Sequence, residues 1–226
     1  MRAIGATLLG ASMPFLLAAA DPEPLIIDAG SALYPAEALE QKLHGDVPIT
    51  LKISETGELR CSVAPNEALA VLRRPSCALV AARNIFEPPV KDGKPIAQEY
   101  SFIIRWNPAR DDGQFGGAIP MGRAHWITFA DYPAIAGHHM MTGKIELSFD
   151  ITAFGRAQNC RITRTGTTNA LAGGMCPLIL KRAMFLPALG ADGRPQATKG
   201  TLKLDWKWCE ATGEARRHCP GPDAGA

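Results

Sequence analysis

The chain writes one pattern twice, and that duplication limits what it can fold into more than any other feature. Residues 83–95 read RNIFEPPVKDGKP, and residues 182–195 read RAMFLPALGADGRP. The likeness runs on in both directions. Tyr34-Pro35 recurs as Tyr132-Pro133, Gly45 as Gly143, Gly57 as Gly155, Cys61 as Cys160, Cys77 as Cys176, Phe86 as Phe185 and Trp106 as Trp206, with an offset of 98 to 100. So small a drift means single-residue insertions in turns, and an internal repeat has to be settled before any lone motif is weighed. Residues 34–106 and 132–208 are read as two copies of one small domain, joined by a linker at 107–131 and followed by a tail at 209–226. Each copy is marginal in core size, so a covalent staple or a neighbouring copy would support it.

Within a copy, Val47, Ile49, Leu51 and Ile53 alternate with Pro48, Thr50, Lys52 and Ser54, and Ile145, Leu147, Phe149 and Ile151 keep the same phase. Period two marks a strand with one buried face. A glycine turn at Gly57 or Gly155 returns the chain through a second strand bearing Cys61 or Cys160. A helix is expected next, entered near Pro75 or Pro177, with Cys77, Val80, Ala81 and Asn84, or Cys176, Ile179, Leu180 and Ala183, on its sheet-facing stripe. An Asp-Gly turn then leads to a last strand. The fold class is α+β: two tandem domains, each a three-stranded antiparallel sheet with helices on one face.

Residues 1–20, MRAIGATLLGASMPFLLAAA, carry one arginine, an uncharged run and three alanines before Asp21, as a cleaved secretory signal does. Export to the periplasm follows; an uncleaved inner-membrane anchor is the alternative. Six cysteines in an exported chain favour disulfides. The simplest pairing that treats both copies alike is Cys61 with Cys77, Cys160 with Cys176, and Cys209 with Cys219. Zinc ligation is the rival, and no C-x-x-C spacing supports it.

The order Tyr-Pro, short helix, glycine, alternating strand, glycine turn, C-x-V, helix ending R-x-x-F-x-P and D-G-x-P turn resembles the C-terminal domain of TonB proteins. In copy one it rests on Tyr34, Pro35, Gly45, Gly57, Cys61, Cys77, Arg83, Phe86, Pro88 and Trp106. Copy two offers Tyr132, Pro133, Gly143, Gly155, Cys160, Cys176, Arg182, Phe185, Pro187 and Trp206. The paired cysteines resemble a variant of the domain in which strand and helix are linked. The resemblance implies a non-enzymatic module that adds an extended peptide as a strand beside its last strand, the peptide being the periplasmic segment of an outer-membrane transporter or another envelope protein. Carried over, the binding strands are Ser101, Phe102, Ile103, Ile104, Arg105 and Trp106 in copy one, and Thr201, Leu202, Lys203, Leu204, Asp205 and Trp206 in copy two. Their apolar members would be hydrophobic in any core strand, and the copies could instead cover each other's edges. From Asp21 to Leu33 the spacer is thirteen residues, a reach of about 45 Å fully extended. That is too short to cross the periplasm, so the chain is expected to lack its own motor coupling.

Other chemistry is thin. A net charge of +2 without a long basic run argues against nucleic acid. No nucleophile elbow or phosphate-binding glycine loop occurs, so neither enzyme activity nor a cofactor is expected. His138-His139-Met140-Met141 suggests copper handling as a weaker alternative, against the reading of surface histidines and core methionines. A structural scaffold or cell-wall-binding protein, its copies paired through their edges, is the other alternative.

Overall fold

The computed structural model of the chain describes residues 24–66, 69–83, 86–109, 113–128, 131, 142–167 and 169–206. The leader at 1–20, Tyr132-Pro133, the short second-copy helix expected at 134–141 with His138 to Met141, and the Cys209–Cys219 pairing lie outside them.

In chain order the elements are β1 (Leu25–Ala29), α1 (Ala36–Glu40), β2 (Gly45–Ile53), β3 (Leu59–Val63), α2 (Ala70–Ala81), β4 (Val90–Lys91), β5 (Lys94–Pro95), β6 (Gln98–Trp106) and β7 (Ile119–Met121). There follow β8 (Gly143–Ile151), β9 (Ala157–Thr165), α3 (Asn169–Gly173), α4 (Met175–Arg182), β10 (Met184–Leu186), β11 (Ala188–Leu189), β12 (Pro195–Gln196) and β13 (Thr198–Trp206). Each copy holds the expected antiparallel three strands, β6-β2-β3 and β13-β8-β9, with the pairing of β2 to β6 and of β8 to β13 in equivalent register. The alternation seen in sequence sets the faces. Val47, Ile49, Leu51 and Ile53, and their counterparts in β8, are buried, while the residues between them are exposed or half-buried. The short pairs β4–β5 and β11–β12 form the D-G turns before each last strand.

Disulfides join Cys61 to Cys77 and Cys160 to Cys176, each bridging the second strand of a copy to its helix across 16 residues. The helices depart from expectation in two ways. Helix α2 begins at Ala70, so Pro75 lies inside it rather than near its entry, and the Ser76 hydroxyl donates to the Leu72 carbonyl in that same turn. Proline suits a first helical turn, yet here five residues ahead of it already take helical geometry. The buried stripe is also rotated: Leu72, Ser76, Leu79 and Val80 face the sheet, and Ala81 and Leu180 face water.

The first sheet has six strands, in the order β10-β7-β1-β6-β2-β3. Strand β1 lies parallel to β6, and β7 crosses from it to β10, a second-copy strand. The glycine- and proline-rich linker is therefore not confined to the surface. It sends Phe115, Ala118, Trp126 and Ile127 into the second core and Ile119 and Met121 into the first, and a 3-10 turn at Arg123–His125 stands just before Trp126. In β10, Phe185 enters the second core and its neighbour Leu186 the first.

The equivalent arginines of the R-x-x-F motif have separate tasks. Arg182 pairs with Asp131 at 2.6 and 2.8 Å. Burial raises the Asp131 carboxyl, but hydrogen bonds from Arg182 and from the Thr128 amide and hydroxyl, with the Arg182 charge, hold it below its usual range. Arg83, at 4 % exposure, instead donates to the carbonyls of Leu79 and of Pro187 in the other copy. Burial lowers its pKa to about 10, the mark of a cation held away from water to latch two copies.

The turn glycines also differ. Gly57 (φ +83°) has open space, with Pro88 Cδ 3.9 Å from a would-be Cβ, whereas at Gly155 (φ +73°) that atom would stand 1.9 Å from the Phe185 carbonyl oxygen. Gly57→Ala is expected to cost about 1 kcal/mol from its left-handed backbone. Gly155→Ala is expected to cost about 2–3 kcal/mol, since the β10 contact must also give way. Urea titration of the two variants reads the difference, and equal losses would mean that the Gly155–Phe185 contact is not constraining.

Candidate peptide-binding edges

The last strand of each copy is a sheet element with one face in the core. Phe102, Ile104 and Trp106 are 4 %, 0 % and 1 % exposed, and Leu202, Leu204 and Trp206 are 0 %, 1 % and 2 % exposed. These six side chains serve packing. Ser101, Ile103, Arg105, Thr201, Lys203 and Asp205 stand on the outer face.

Backbone direction decides what each edge offers, because the N–H and C=O of a strand residue point to one side and alternate along the strand. Asn107 N–H donates to the Ala29 carbonyl at 3.0 Å, so the polar groups of Ile103 and Arg105 also turn toward β1. That edge is filled: Leu25, Ile26, Ile27, Asp28 and Ala29 stand opposite Phe102, Ile103, Ile104, Arg105 and Trp106, in parallel. In copy two, Gly166 N–H donates to the Lys144 carbonyl at 2.8 Å, so Lys144 faces β9. Gly143 and Ile145 must then face β13 and bond their partners Trp206 and Leu204, leaving the backbone groups of Lys203 and Asp205 directed outward.

Outside β13 the linker covers only the first half. Thr198 and Thr201 hydroxyls donate to the Gly116 and Gln114 carbonyls at 3.1 and 3.4 Å, and a Cβ on Gly116 would fall 2.2 Å from Thr198 Oγ1. Among the described residues, no second strand pairs with Leu202 to Trp206 on the side away from β8. This is the stretch whose counterpart in copy one is covered by β1.

The outer faces carry mirrored charges. Asp46 opposes Arg105 and Lys52 opposes Glu99 in copy one; in copy two Lys144 opposes Asp205 and Asp150 opposes Lys199. Arg105 grips Asp46 with two bonds of 2.9 Å, and Lys52 meets Glu99 at 3.0 Å. The Arg105 hydrogen bond, opposed by burial and aided by the Arg105 charge, holds the Asp46 carboxyl below its usual range. Both partners are over two-fifths exposed, so this pair fixes strand register more than it adds stability.

Sequence reasoning missed β1. Its signal was the apolar run Leu25-Ile26-Ile27 within a segment read as spacer. No helix among the described residues is long and apolar enough to cross a membrane. No group of three or more metal-ligating His, Cys, Asp or Glu side chains occurs among them.

Residues 31–108 match the family model described as Gram-negative bacterial TonB protein C-terminal. Among solved structures, the solution structure of the Helicobacter pylori TonB C-terminal domain is 19% identical, with 35% of this chain and 70% of that one covered at a TM-score of 0.27. That of the Pseudomonas aeruginosa TonB C-terminal domain is 18% identical, with 46% and 95% covered and a TM-score of 0.34. No curated protein sequence matches the chain. The family match thus spans the first unit, residues 31–108, and the second unit repeats that unit's three-stranded sheet and its strand-to-helix disulfide.

Proposed function

We propose that the chain is a non-enzymatic peptide-capturing protein of the periplasm, needing no cofactor, whose second copy takes an extended segment of an envelope protein onto the edge of β13. The periplasmic segments of outer-membrane transporters are the partners that the family's role in energy transduction suggests. The observation that carries this reading is β1 itself: a five-residue strand already lies on the β6 edge, within the copy that matches the family. Strand addition needs backbone groups directed away from the sheet and a register, and Lys203 of β13 turns its own away from β8. An exposed edge that is neither covered nor blunted is otherwise a route to aggregation. Among the described residues the copies meet through β7 and β10 rather than through their last strands.

Lys203→Pro tests the reading. Proline removes an N–H that points away from β8, so the sheet keeps its ladder while an added strand loses a bond, and proline is tolerated at such an edge. The expected result is loss of binding to immobilised periplasmic transporter segments by tenfold or more, with unchanged thermal unfolding. Binding that survives the substitution would exclude the edge of β13 as the capture site. Ile103→Pro provides the contrast: it should loosen β1 and leave capture intact.

A further inference from the structure

On the side away from its last strand, each copy ends its sheet with the strand that carries the disulfide, β3 in one and β9 in the other. The two edges are built differently. In β9 the ladder with β8 shifts register twice, between Glu146 and Leu147 and between Ser148 and Asp150. Asn159 takes a φ of +53°, and Gln158 stands exposed where copy one has Leu59. Irregularities of this kind keep an edge from pairing further. Strand β3 pairs regularly along its whole length, Leu59 to Val63 meeting Ile53 to Ile49 one for one. Its one charged side chain, Arg60, is balanced by Glu58, which accepts two bonds of 3.1 Å from it.

The bonds at either end of that ladder fix which backbone groups face out. Ser54 N–H donates to the Glu58 carbonyl at 2.9 Å and Ala64 N–H to the Pro48 carbonyl at 3.3 Å. Arg60 and Ser62, in phase with Glu58 and Ala64, therefore bond β2, and Leu59, Cys61 and Val63 turn their N–H and C=O groups away from it. Among the described residues, no strand pairs with them there. Their side chains are half-buried against the first core, so part of each stays open to water.

We infer that the β3 edges of two chains pair antiparallel about a two-fold axis at Cys61, joining two first sheets into one. The outward residues are the odd-numbered ones, so the axis falls on a pair that exchanges both its bonds. Every outward N–H and C=O of Leu59, Cys61 and Val63 then finds a partner. The side chains agree with this register. Leu59 lies across from Val63 of the partner subunit and closes the half-buried apolar row, while Arg60 lies across from the small, uncharged Ser62 of the partner subunit. The edge is its own complement, which is the argument for a second copy as its occupant. A two-fold contact closes on itself, and the shifted register of β9 withholds a second edge that would extend it into a fibre. The pairing uses neither β13 nor β1, so it stands independently of capture at β13.

Sedimentation of the full exported chain over a concentration series tests the pairing, and amide hydrogen exchange locates it. A contact one strand wide is small, so the expected dimer is weak and concentration-dependent. The amides of Leu59, Cys61 and Val63 should exchange rapidly in dilute protein and gain protection as the mass rises, while those of β9 keep their rates. Ser62→Arg sets Arg60 against an arginine twice per dimer and should weaken association by about tenfold; Ser62→Glu sets it against a carboxylate and should strengthen it by about as much. Position 62 is exposed, so both variants should keep the urea midpoint of the parent chain. Val63→Pro removes one outward N–H from each chain and should abolish the dimer. A chain that sediments as a monomer at about 1 mM would overturn the pairing. So would a dimer that responds alike to Ser62→Arg and Ser62→Glu, or one dissolved by Lys203→Pro with the β3 amides unprotected.

Discussion

Serine at Cys61 and Cys77 lowers the unfolding free energy of the first unit by about 3 kcal/mol, and serine at Cys160 and Cys176 does the same in the second. Both bridges close loops of the same length, 16 residues in separation, and both tie a strand to the helix packed on it. In the chain-entropy account the loss arises mainly in the unfolded chain, which regains the freedom of an open loop. A unit of this size has little surplus core to absorb such a loss. Removing all four cysteines together is therefore expected to leave the chain largely unfolded at 37 °C. Urea unfolding of each pair variant, followed by tryptophan fluorescence, reads the effect. A midpoint unchanged by either pair would show that the helices are held by packing alone.

The second large effect is expected at Trp106, whose truncation to alanine should cost about 3–5 kcal/mol. The indole is 1 % exposed, donates to Ser76 Oγ at 2.9 Å and meets the Tyr34 ring edge-on at 5.0 Å. Strand β6, helix α2 and the turn before α1 thus converge on one side chain. Its loss opens a cavity and deprives the Ser76 oxygen of its donor. It also bares the flank of Tyr34, where burial has already raised the phenol pKa to about 12. Trp106→Phe, which restores much of the volume but not the donor, should recover most of the loss. Ser76→Ala should cost about 1 kcal/mol. Calorimetric unfolding separates the three; equal losses from Trp106→Phe and Trp106→Ala would assign the effect to the hydrogen bond rather than to the cavity.

The parts of the fold that could be read in advance are those where a local pattern decides the outcome. Period-two alternation in β2 and β8 places four core residues of each strand, and glycines with positive φ mark both hairpins. The two strand-to-helix disulfides follow from two equal spacings in a chain whose leader reads as an export signal. What could not be read depends on partners distant in sequence. Strand β1 finds its pairing on Phe102 to Trp106, 77 residues later, with only three adjacent apolar residues to announce it. Strand β7 contains Pro120 and sits in a glycine-rich stretch, yet it is buried between β1 and β10, which together supply its ladder. The last strands were legible as strands. Whether an edge is filled or open belongs to tertiary structure: β1 on one copy, and on the other a linker that stops at Thr201.

A tandem repeat risks exchanging equivalent strands between its copies while it folds, since each hairpin could accept the other's third strand. The inverted charges bear directly on that error. Were β2 to take β13 in the native register, Asp46 would face Asp205 and Lys52 would face Lys199; were β8 to take β6, Lys144 would face Arg105 and Asp150 would face Glu99. All four contacts would set like charges against each other, where the correct partners set opposite ones. The same eight side chains that decorate two solvated faces therefore tell each hairpin which third strand is its own.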